Sequence, residues 1–106
     1  MRYKVGDIVR IRDDLFYGQE IMSENGVHKT VIGTGKIKCA GYLARITDVD
    51  EHHMKYTVQL LDERGYEINP FDFASSFVWV ADSFWDHREG KFEESEFAVE
   101  FLLGGD

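Results

Sequence analysis

One cysteine and one proline are all that 106 residues contain of either type. A lone thiol, Cys39, excludes an intramolecular disulfide, so the fold rests on packing and hydrogen bonding and suits a reducing compartment. No apolar run approaches the ~20 residues of a membrane-spanning helix. The opening segment, from Met1 to Asp7, lacks the apolar stretch of a secretory leader, which leads us to expect a soluble cytoplasmic protein. Basic residues are scarce: 12 Lys and Arg stand against 20 Asp and Glu, for a net charge of -8. Non-specific nucleic-acid binding needs cations to displace counterions from phosphates, so this balance argues against it. Internal repeats and low-complexity tracts are also missing.

What remains is a chain able to build one packed domain over residues 1–106. Its hydrophobic fraction of 43% and aromatic fraction of 14% are ample for a core. The charge is unevenly placed. From Asp82 to Asp106 there are eight carboxylates and two basic side chains, which leaves -6 of the chain's -8 in its last 25 residues. Phe84, Trp85, Phe92, Phe97, Val99, Phe101 and Leu102 are threaded among them. Acid interleaved with large apolar groups suits a basic protein surface.

Periodicity predicts a mainly β fold. Val9 and Ile11 alternate with Arg10 and Arg12 after the Gly6-Asp7 turn, the pattern of a half-buried strand. Residues 16–39 read as an inserted loop containing a hairpin, Val27–Ile32 and Lys36–Ala40, joined through a Gly33–Gly35 turn. Tyr42–Val49 is rich in strand formers, Asp50–His53 is a polar turn, and Lys55–Leu60 places Tyr56, Val58 and Leu60 on one face. Pro70 sits in a loop with two exposed-looking aromatics, Phe71 and Phe73, and Phe77–Val80 reads as a further strand. Residues 93–103 fit a short helix, through Phe97 and Phe101, and an extra strand almost equally well.

The segment Val5-Gly6-Asp7-Ile8-Val9-Arg10-Ile11 resembles the "V-G-D-x-V-x-V" opening of SH3-like small barrels. Ala40–Asp50 is similar to their second strand, Tyr56–Leu60 to the third, and Phe77–Phe84, with Trp79 and Asp82, to the closing element. The resemblance covers residues 1–15 and 40–86. Residues 16–39 are longer and richer in glycine than the pattern, and 87–106 form an acidic extension beyond it. The resemblance implies a barrel of about five strands, and the same order of motifs occurs in short proteins of phages, prophages and other mobile elements. It says little about function, because such barrels serve many roles.

Catalytic and metal chemistry find little footing. His52 and His53 are neighbours that on a strand would point apart, and His28, Cys39 and His87 lack ligand spacing. Cys39 reads as a small buried hydrophobe rather than a nucleophile, and Gly33-Thr34-Gly35-Lys36 as a turn rather than a phosphate loop. No cofactor is expected, and the protein is not expected to be an enzyme. The sequence leads instead to a protein-binding module that uses Asp82, Trp85, Asp86, Glu89, Glu93, Glu94, Glu96, Phe97 and Glu100. Trp85 and Phe97 would anchor a partner while the carboxylates imitate DNA phosphates, spaced ~1.7 Å along the duplex axis. The mobile-element resemblance makes an anti-CRISPR-like inhibitor of a host nucleic-acid enzyme, such as a CRISPR effector, the specific form of that expectation. The alternative is an assembly protein making homotypic contacts through an edge strand or the Phe71/Phe73 loop. A third reading, nucleic-acid binding through Arg10, Arg12, Arg45 and Lys55, runs against the net charge.

Overall fold

Why the chain is mainly β follows from its alternating stretches. A computed structural model describes residues 1–86, and Glu89, Glu93, Glu94, Glu96, Phe97, Glu100 and the helix-or-strand choice at 93–103 lie outside them. The strands are β1 (Ile8–Ile11), β2 (Glu20–Met22), β3 (Lys29–Val31), β4 (Leu43–Asp50), β5 (Lys55–Leu61) and β6 (Phe84–Asp86). One short helix, α1 (Thr34–Lys38), and two 3₁₀ turns, Ala74–Ser76 and Ala81–Ser83, join them. A four-stranded antiparallel sheet runs β5-β4-β1-β6, and β2 and β3 form a separate two-stranded sheet.

β1 enters through reciprocal turn bonds: Asp7 N–H donates to the Lys4 carbonyl, and Lys4 N–H donates to Asp7 Oδ2, both at 3.0 Å. β4 and β5 pair from Leu43–Leu61 to Asp50–Lys55, with a bulge that leaves Thr47 out of register. Their turn is closed by Asp50, whose carboxylate accepts from His53 N–H at 3.1 Å and lies 2.9 Å from His53 Nδ1.

The inner face of the sheet carries the core. Val9, Ile11, Ala44, Ile46, Tyr56, Val58, Leu60 and Phe84 point into it, and Trp79, Val80 and Ile32 fill it from the loops. Aromatic rings run continuously through it, from Tyr3 to Tyr56 and Phe84, on to Trp79, Phe77 and Phe73, and out to Phe71 and Tyr42. Edge-to-face and offset contacts of this kind add to the area they bury.

Three features of the expectation come out differently. The expected Val27–Ile32 strand does contain β3, but the hairpin it forms is with β2, not with Lys36–Ala40. Its turn contains Asn25-Gly26, with Gly26 at φ 74, a backbone conformation that glycine adopts without steric cost. Lys36–Ala40 is instead the end of α1 and the turn after it. That helix forms because Gly35 lets it lie directly on the aromatic cluster: a Cβ there would come within 2.6 Å of Phe77 Cζ. Gly33 consequently caps a helix instead of turning a hairpin. Third, Phe77–Val80 is not a full strand. Trp79 alone bridges Tyr56, with both backbone bonds at 2.8 Å, before the chain turns through Ala81–Ser83 and lays β6 on β1. One short segment thus engages both edges of the four-stranded sheet.

Candidate protein-binding site

Side chains alternate across a strand, so the residues that do not enter the core share the opposite face of the sheet. Those residues are Ile8 and Arg10 on β1, Leu43 and Arg45 on β4, Gln59 and Leu61 on β5, and Trp85 on β6. Register aligns Leu61, Leu43, Arg10 and Trp85 in one row across all four strands. Leu43 and Leu61 are buried there, packed against half-buried Ile8 and Trp85. Trp85 therefore stands at the β6 edge as the partly open end of this row, next to Arg10.

Ion pairs bound this row. After β5, Asp62 Oδ1 accepts the N–H groups of Arg64 and Tyr66, at 2.9 and 3.0 Å, and folds the chain back. Glu63 then binds Arg10 through two parallel bonds of 3.0 Å, while Arg10 also donates to the Gly41 carbonyl at 2.6 Å. Glu67 pairs with Arg45 on the same face. At the opposite end of β1, Arg12 holds Asp14 through two bonds of 2.8 and 3.0 Å. Those bonds keep the Asp14 carboxyl below its ordinary range.

Arg10, Arg12 and Arg45, the cations of the nucleic-acid reading, are each already engaged by a carboxylate, with which a phosphate would have to compete. Lys55 is the one member of that set with no ion pair among the described residues.

Of the expected contact residues, the structure places three. Asp82 is exposed, but its carboxylate already accepts from Arg2 Nη1 at 2.9 Å, and its carbonyl accepts from Arg12. Such an exposed pair is worth under ~1 kcal/mol, so a basic partner can displace Arg2 cheaply. Trp85 and Asp86 lie in β6, opposite Arg10 and Val9. Phe84 and Trp85 divide as neighbours on a strand must: Phe84 is buried in the core and Trp85 is half-open on the other face. The other aromatic candidates separate too. Trp79 is core, Phe71 packs against Tyr42 at 6.1 Å between ring centroids, and Phe73, stacked on Phe71, is 38% exposed.

Two further groupings stand apart from this face, and of their members Cys39 is the small buried hydrophobe expected from the sequence. His52 and His53 do not point apart, because they sit on a turn rather than a strand, and their rings meet edge to face at 4.6 Å. His28, from the β2–β3 hairpin, reaches His53 at 5.7 Å. No group of three ligands fit for a metal ion occurs among the described residues. Hydrogen bonds from His53 hold the Asp50 carboxyl below its ordinary range. Lys36 and Cys39 form the second grouping. Cys39 is fully buried, and burial pushes its thiol up to about 11, the state of an inert core residue. Spacing along the chain carries no signal for the histidine grouping, which depends on how separate turns pack, whereas Lys36 and Cys39 are neighbours at i and i+3.

No helix among the described residues is long and apolar enough to cross a membrane. Comparison with protein-family models, curated proteins and solved structures finds no match.

Proposed function

We propose that this chain is a non-enzymatic protein-binding module on an SH3-like small barrel, which uses the outer face of its sheet and an acidic flank against a basic protein surface. The observation that carries the reading is Trp85. It is a large aromatic at a sheet edge, seated on Leu43 and Leu61 and bounded by the Arg10–Glu63 and Arg45–Glu67 pairs. Anchors of this kind, surrounded by polar groups that exclude water, carry most of the energy of protein interfaces. β6 ends on Asp86, and Glu89, Glu93, Glu94, Glu96 and Glu100 follow it in the chain, with Phe97 as a second anchor. Their charge would steer association with a basic target. The barrel reading is supported by chain order: a hairpin excursion between β1 and β4, the β4–β5 hairpin, the Trp79 bridge to β5, a 3₁₀ turn, and β6 back on β1. The mobile-element resemblance extends the proposal to an anti-CRISPR-like inhibitor that occupies the nucleic-acid channel of a host enzyme, within the host cytoplasm.

The test is capture of partners from a bacterial lysate containing CRISPR and restriction enzymes, with and without nuclease. A partner that survives nuclease, dissociates in high salt and is lost on Trp85→Ala and on reversal of the carboxylates supports the reading. A partner lost on nuclease treatment contradicts it.

A second reading, homotypic assembly, is favoured by the β2–β3 hairpin. Its outer side exposes Met22 and Val31, with Phe16 and Tyr17 exposed just before it. Light scattering decides between the two: a stable oligomer supports assembly, and a monomer supports partner binding.

A further inference from the structure

The β2–β3 hairpin meets the β4–β5 turn through histidines. His28, half-buried just before β3, lies 5.7 Å from His53 between ring centroids, and His53 lies 4.6 Å from His52. The turn that presents His53 is firmly held. Met54 closes it at φ 57, a conformation that strains a residue with a side chain, and Asp50 binds both the N–H and the ring of His53. Three imidazoles from two separate elements thus share one corner of the molecule.

We infer that this histidine contact is a pH-sensitive latch that loosens the β2–β3 hairpin from the sheet in mild acid. Neutral rings tolerate the contact, whereas imidazolium rings at these separations repel. With all three protonated, Asp50 pairs with one charge of the three. The other charged groups on the elements that meet here add little relief. Glu51 and Lys55 flank the histidines on the turn and β5, Lys29 pairs with Glu20, and Glu24 already accepts from the Tyr56 hydroxyl and Arg2 N–H, both at 2.6 Å. The N-terminal segment brings the Met1 amine and Arg2. From α1, Lys36 Nζ donates to Thr30 Oγ1 of the hairpin at 2.9 Å and lies 5.1 Å from the Trp79 ring centroid. Undocking separates the imidazolium charges, so docking weakens as pH falls through the imidazole range and strengthens as it rises. A two-stranded hairpin is marginal on its own, so its backbone bonds report the latch. The inference stands whether or not the outer face binds a partner.

The test is amide hydrogen exchange of the full chain at low ionic strength, at pH 7.5 and 5.5, with each rate divided into its intrinsic rate at that pH. Carboxylates ordinarily titrate near pH 4, outside this window. The Ser23 amide donates to the His28 carbonyl at 2.7 Å, and the Ile32 amide to the Gln19 carbonyl at 2.9 Å. Both are expected to lose protection about threefold to tenfold in acid. The Ile46 amide, bonded to the Asp7 carbonyl in the main sheet, should keep its protection and so verify the fold of each variant. His28→Gln and His53→Gln should each remove most of the acid loss, and high salt should shrink it. Unchanged hairpin protection in the unsubstituted chain overturns the inference. So does an acid loss that survives both substitutions, or one that Ile46 shares equally.

Discussion

The two faces of one sheet are built differently. The inner face is closed by Val9, Ile11, Ile46, Tyr56 and Phe84, all nearly or fully shielded from solvent. The outer face mixes Ile8, Leu43, Leu61 and Trp85 with two arginines tied by Glu63 and Glu67. The partly open Trp85 lies beside one bidentate pair, Arg10–Glu63, and one single-bonded pair, Arg45–Glu67, and exposed pairs of this kind contribute little to folding. The contrast teaches that the inner face specifies the fold, and it is the outer face that we propose for recognition.

Breaking the inner face should have the largest effect. Phe84→Ala removes a ring that contacts Tyr3, Tyr56 and Trp79, and should cost about 3–5 kcal/mol in denaturant unfolding. Tyr56→Phe is subtler. The buried hydroxyl donates to Glu24 at 2.6 Å and accepts from Tyr3 N–H at 3.1 Å, so it links the hairpin and the N-terminal segment to β5. Its loss should lower stability by about 1–2 kcal/mol. Burial, helped by the bond to Glu24, raises the Tyr56 pKa far above the ordinary tyrosine range.

Lys36 sharpens the comparison with the opposite sign. Its folded pKa of about 8 lies below the unfolded value of 10.5, so between these pH values the unfolded chain binds more protons and stability rises with pH. Below pH 8 the buried charge is a standing cost. Solvent screening of this partly exposed amine limits that cost, and Lys36→Met should gain about 1 kcal/mol at pH 7, fading toward pH 10.5. Loss of stability at pH 7 would show that the Thr30 and Trp79 contacts outweigh burial. On the outer face, Glu63→Ala should change stability by less than about 1 kcal/mol, readable as a small shift in the urea midpoint.

The sequence was legible where one face of a strand is buried. Val9/Ile11 and Tyr56/Val58/Leu60 announce β1 and β5 by alternation alone, and Tyr42–Val49 locates β4 within one residue at each end. It misled where tertiary packing chose the local structure. Lys36–Ala40 alternates like a strand, yet Ile37 and Cys39 reach the core from a helix and the turn after it because Gly35 permits close contact with Phe77. The β2–β3 hairpin had a usable signal in Asn25-Gly26 between Glu-Ile-Met and Lys-Thr-Val. The candidate site was only half visible. Trp85 could be named from its place beside Phe84, but the Arg10–Glu63 pair joins positions 53 residues apart, a distance that no local pattern spans.

The most direct measurement compares Phe84→Ala with Trp85→Ala, neighbours on one strand that face opposite ways. Each variant is scored for unfolding free energy and for retention of the captured partner. Trp85→Ala should lose only about 1–2 kcal/mol of stability while weakening partner binding about thirtyfold or more. A folded Trp85→Ala variant that keeps its partner at full affinity would contradict the assignment of the outer face to recognition.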